Sequence, residues 1–75
     1  QKSDLSRSIA DIETTLSLEP RHFGALSGLA VILNRLDRKK EALDTWYKVL
    51  EIYPANQTAQ KAVIDLEEEL AGSNT

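Results

Sequence analysis

Along the 75 residues, apolar side chains recur at steps of three and four in four separate stretches, the spacing that gathers them on one face of an α-helix. Leu5, Ile9, Ile12 and Leu16 form the first stripe, and Pro20 ends it. Phe23, Leu26, Leu29, Ala30, Leu33 and Leu36 form the second, with Val31 and Ile32 widening the apolar arc, so this is the expected most buried helix. The third runs from about Lys40 to Tyr53, with Ala42, Leu43, Trp46, Val49 and Leu50 inward and Pro54 closing it. The fourth begins after Asn56, whose side chain can cap a free backbone N–H, and packs Ala59, Val63, Leu66 and Leu70; Gly72 to Thr75 reads as a polar tail. No stretch shows the period-two alternation of a strand. The connections are only a few residues long, so consecutive helices must turn back on one another. Asp37 falls in the second connection, where a residue tolerant of left-handed backbone is suited to the turn.

The two prolines stand 34 residues apart, and the stretches before them match: SIADIETTLSLEP leads to Pro20 and ALDTWYKVLEIYP to Pro54. Leucine and proline recur identically, while Ile9, Ile12 and Leu18 find apolar counterparts in Leu43, Trp46 and Ile52. A two-helix unit of this length resembles the tetratricopeptide repeat, whose pattern is W-x2-L-G-x2-Y, then A-x3-F, then P. Leu26 stands at the tryptophan position, Leu29 matches the leucine, and Ala30 and Leu33 replace glycine and tyrosine; Ala42, Trp46 and Pro54 match the second half. The stretch LEPRHFGALSGL is also similar to repeats near the C-terminus of small bacterial members of the family.

The resemblance implies an all-α fold, an antiparallel helix-turn-helix solenoid of four helices (an alpha-alpha superhelix). Within a single domain over 1–75, residues 2–22 correspond to the second helix of a partial repeat, 23–56 to a complete repeat, and 57–71 to a C-terminal capping helix. Ala30 and Ala42 are expected where two helices approach closely, and Trp46 between units. Gln57, Gln60 and Glu67 stand where Phe23, Leu26 and Leu33 stood one repeat earlier, which is why the fourth helix reads as a solvating cap.

Composition narrows the function. At 41% hydrophobic and 28% charged the chain is an ordinary globular one, but a domain this short buries only about 60% of its unfolded surface. It has no cysteine to staple so thin a core, an absence that leaves cytoplasm and periplasm equally open. It also lacks methionine and starts at Gln1, as expected of a piece of a longer chain. The net charge of −3 argues against a nucleic-acid surface; Arg35, Arg38, Lys39 and Lys40 cluster without interleaved aromatics and read as a solvated corner. No apolar run approaches the ~20 residues needed to span a bilayer, and no signal peptide is present in this stretch, so no membrane association is expected.

Catalysis is not expected. The one histidine, His22, sits beside Arg21 at a helix start with no cysteine nucleophile and no glycine-rich phosphate loop, which favours a structural or solvated role. Asp65, Glu67, Glu68 and Glu69 point around a helix rather than together, so no metal or cofactor is expected either.

The family binds protein segments in a concave groove lined by the first helix of each repeat. Carried onto this sequence, that groove comprises Gly24, Ser27, Gly28, Val31, Asn34 and Arg35, with Thr58, Lys61, Asp65 and Glu68 from the fourth helix. Ser27, Gly28 and Val31 occupy most of the positions at which some members hold a peptide carboxylate, so that mode of capture is not expected. Gly24 and Gly28 each cost about 1 kcal/mol against alanine inside a helix. Either they allow close approach of a peptide to bare backbone, or Gly24 lies in a fraying turn and Gly28 packs on the preceding helix. The expected function is a protein-interaction or scaffold module, the alternative a structural cap of a larger solenoid. Self-association is expected through the first helix, at Leu5, Ile9, Ile12, Leu16 and Leu18, because that helix looks like half of a repeat; the other half would occupy the same surface, so the contact is expected to be an artefact of truncation rather than biology.

Overall fold

The computed structural model describes residues 2–72, which form four helices and no strand: α1 Lys2–Leu18, α2 Phe23–Arg35, α3 Lys39–Ile52 and α4 Gln57–Gly72. The third helix thus starts one residue earlier than the apolar pattern alone suggests. The fourth continues through Gly72, because the three preceding residues Glu69, Leu70 and Ala71 are good helix formers. The rest of the expected polar tail lies outside the described residues.

Each connection carries its own stop signal. α1 ends two residues before Pro20, since proline disfavours helical backbone at the residue before it. α2 ends in a paired-bond cap: Arg38 N–H donates to Leu33 O at 2.9 Å and Asp37 N–H to Asn34 O at 3.1 Å. That arrangement needs a left-handed residue between them, and Asp37 takes φ 62°. α3 ends against Pro54, with Tyr53 N–H closing on Val49 O at 2.7 Å.

Consecutive helices run antiparallel, so α1 and α3 lie parallel on either side of α2, and α4 packs on α3. The core follows from this order. Ala25, Leu26, Ala30 and Leu33 of α2, Ala42, Leu43, Trp46 and Val49 of α3, and Ala59, Val63 and Leu66 of α4 are buried. Ala30 and Ala42 have no exposed surface, as two helices in close approach require, and Trp46 keeps 5%. Among its described side chains α1 contributes half-buried residues to the core, Ile9 and Leu16 among them, and its main packing is on α2. At the base, the rings of Phe23 and Tyr53 meet edge to face, 5.6 Å between centroids, pinning the start of α2 to the end of α3. Among the described residues Thr45 is the buried polar one, and its hydroxyl donates to Glu41 O at 2.9 Å.

Candidate protein-binding surface

α2 has two faces with different partners. Leu26 and Leu33 are buried on one side, with Leu29 half-buried beside them. At 100° per residue the opposite side carries Gly24, Ser27, Gly28, Val31, Asn34 and Arg35. On that side Gly24, Val31, Asn34 and Arg35 are exposed, Val31 at 46%, while Ser27 and Gly28 are half-buried. The six residues therefore share one continuous face of one helix. Lys61 and Asp65 are also exposed, but on α4, a helix whose packing is against α3.

His22 explains how that face begins. Its backbone is extended at φ −73°, ψ 106°, and its Nδ1 accepts the N–H of Ala25 at 3.0 Å, so the imidazole is the N-cap of α2. Accepting at Nδ1 places the ring proton on Nε2. The ring lies over Gly24: a Cβ there would stand 3.2 Å from His22 Cε1, tighter than ordinary contact. Gly24 thus leaves room for the cap. Gly28 is different, since a Cβ there would meet only Ile12 Cδ1, at an ordinary 3.7 Å. The histidine cap is the feature that the amino-acid pattern hides, because histidine is not among the preferred capping residues. One signal marks it: His22 precedes the capping residue Asn56 by one repeat length.

The far end of the face is tied to two other helices. Lys39 Nζ donates to Asn34 Oδ1 at 3.1 Å and pairs with Glu69 at 2.9 Å, joining the ends of α2 and α4 to the start of α3. The hydrogen bond to Glu69 raises the lysine's pKa above its ordinary value. Beside it, Arg38 holds Glu41 through two bonds of 2.7 Å, and this pairing raises the guanidinium's already high pKa. Arg38 and Lys39 are therefore committed to intramolecular bonds, whereas Arg35 extends from the exposed face.

On α4, the residues that replace apolar ones bond backward. Gln60 Nε2 donates to Pro54 O at 2.7 Å, and the Tyr47 hydroxyl of α3 donates to Glu67. Ile64, at the position equivalent to the fully buried Ala30, is 56% exposed. Among the described residues no helix is long and apolar enough to cross a membrane, and no cluster of three histidine or acidic side chains is placed to hold a metal.

The chain is 51% identical to a TPR repeat-containing protein of Rhizobium etli over 92% of its length. It is also similar to sperm-associated antigen 1 of mouse and of rat, at 32% and 35% identity over 91% of the chain. It spans about a third of the Rhizobium protein (34%) and 8% of each antigen. No protein-family model matches the chain, and no solved structure does.

Proposed function

As a homologue of tetratricopeptide-repeat proteins, with their helical fold, this chain serves, we propose, as a protein-interaction module that holds a segment of a partner protein along the exposed face of α2. The observation that carries this reading is the face itself: Gly24 and Val31 present exposed backbone and one uncovered aliphatic side chain beside half-buried Ser27 and Gly28, followed by exposed Asn34 and Arg35. A low, mostly small-residue surface favours a partner that lies flat along it, with main-chain or side-chain carbonyls near Arg35. Lys61 and Asp65 extend the proposed contact to α4. The segment boundaries 2–22, 23–56 and 57–71 are proposed as the repeat units behind it.

This chain has no cysteine of its own, so a single one can be placed at a chosen position. A Ser27→Cys variant of this chain carrying a photo-crosslinker should label a partner protein, and the triple change of Asn34, Arg35 and Lys61 to alanine should abolish that label. Labelling that persists in the triple variant rejects this face as the binding surface.

A second reading is favoured by the bonds of Gln60 and Glu67. In it, α4 is a structural cap whose polar outer side keeps a solenoid soluble, and the chain stabilises a neighbouring domain without a ligand of its own. Changing Gln60 and Glu67 to leucine would then cause aggregation while leaving crosslinking from position 27 intact.

A further inference from the structure

On the side of α2 away from the proposed groove, α1 and α3 stand apart and leave a cleft. Its floor is Leu26, Leu29 and Leu33, and it opens into two hollows, about 400 Å³ at one end and about 240 Å³ at the other. The larger is walled by Leu16, Pro20 and Ile52 and rimmed by Arg21 and Lys48 against a single carboxylate, Glu51. The smaller is walled by Ile9 and rimmed by Glu13, Glu41 and Asp44 against a single guanidinium, Arg38, which is already bonded to Glu41. The cleft therefore has an apolar floor, a positive end and a negative end.

A cleft with that charge pattern is complementary to itself turned end for end. We propose that it receives a second copy of this chain, packed antiparallel about a two-fold axis, so that Arg21 and Lys48 of each copy meet Glu13 and Asp44 of the other. A two-fold contact buries the same patch twice, and each charge pairing occurs twice. Half-buried Ile9, Leu16 and Ile52 supply the apolar surface removed from water. Leu18 takes no part: it lies two residues, or about 200°, around α1 from Leu16 and is 78% exposed on the far side. Ile12 is turned toward Gly28 of α2. The proposed contact thus uses α1, the helix expected to self-associate, through Ile9 and Leu16 rather than Ile12 and Leu18, and α3 supplies half of it. The peptide-binding face of α2 stays open in such a dimer, so this inference does not depend on that function.

Sedimentation equilibrium of the full chain from about 10 μM to 1 mM tests it, over a range that spans weak to moderate homodimers. The expected result is a reversible dimer that weakens as salt rises through the range where exposed charges are screened. Antiparallel packing sets α1 on α1 and α3 on α3, so Lys48 faces Asp44 of the other copy; Lys48→Glu and Asp44→Lys each place like charges opposite one another and should raise the dissociation constant about tenfold or more. Both residues are exposed, and circular dichroism should show the helices of each variant intact. Combining the two changes in one chain restores opposite signs across the axis and should bring the constant back to within about threefold of the parent. A chain that stays monomeric throughout overturns the proposal. So does a dimer indifferent to the single changes, or a double variant as weak as the worse single one.

Discussion

His22 and Asn56 hold the same position 34 residues apart: Nδ1 of the first accepts the Ala25 N–H at 3.0 Å, and Oδ1 of the second accepts the Ala59 N–H at 2.9 Å. Each satisfies a first-turn donor that the helix itself cannot. Asn56→Ala should therefore cost about 1 kcal/mol of stability, and His22→Ala a comparable amount. His22→Asn should be neutral or stabilising, since asparagine is the better cap and leaves the space over Gly24 free. Urea unfolding of the three variants checks this; a destabilised His22→Asn would show that the imidazole matters for its packing rather than its acceptor.

Trp46 has a different kind of importance. It keeps 5% of its surface exposed and sits in the core shared by α2, α3 and α4. Truncation to alanine should cost about 3 to 5 kcal/mol, a large part of the 5 to 15 kcal/mol typical of a whole domain. The expected outcome in a thermal melt is a loss of cooperative unfolding. A shift of only a few degrees would mean that the neighbours collapse to fill the space.

The helix pattern was legible because apolar spacing and stop signals agree: Pro20, Asp37 and Pro54 each stand where a helix closes. The small residues Ala30 and Ala42 were legible for the same reason, since only a short side chain fits where two helix axes approach. Less legible was anything decided by pairing between side chains. Nothing in the spacing says that Lys39 spans Asn34 and Glu69, that Tyr47 reaches Glu67, or that Arg38 is spent on Glu41. Those bonds depend on how far apart two helices stand, which the period of a single helix does not contain. They also divide the basic cluster near the α2–α3 turn, leaving Arg35 on the exposed face while Arg38 and Lys39 are held by Glu41 and Glu69.

Asp37 offers a test of that turn. A non-glycine residue at φ 62° carries a steric cost that glycine does not. Asp37→Gly should stabilise the chain by up to about 1 kcal/mol after the added freedom of the unfolded chain is subtracted, and Asp37→Ala should destabilise it. Opposite signs in the two melts are the expected result. Equal shifts would show that the carboxylate, not the backbone, sets the turn.

Tyr47 gives the fold an alkaline edge. Its hydroxyl donates to Glu67, and that bond, with partial desolvation and the nearby carboxylate charge, raises the phenol above its ordinary value of about 10. A folded-state pKa that is raised favours the protonated form, so the contribution is fully present below the unfolded value and is lost as pH climbs through the folded one. Deprotonation would also set two anions side by side. Tyr47→Phe should therefore lower the melting temperature at pH 8, and the gap between variant and parent should close above pH ~10. A gap independent of pH would assign the effect to packing of the ring.

The two glycines of α2 separate the cost of bare backbone from its use. At Gly28 a methyl group would make an ordinary 3.7 Å contact with Ile12, so nothing in the fold itself demands glycine there. Gly28→Ala should stabilise the chain by about 1 kcal/mol through helix propensity alone. At Gly24 the same methyl would stand 3.2 Å from the ring that caps the helix, and part of that gain should be lost as His22 is pushed from Ala25. The contrast becomes informative when binding is measured beside stability. If α2 receives a partner against its backbone, Gly28→Ala should weaken crosslinking from position 27 even as it raises the melting temperature. A variant that is both more stable and equally well labelled would show that bare backbone at Gly28 serves neither packing nor binding, and the contact would then rest on Val31, Asn34 and Arg35.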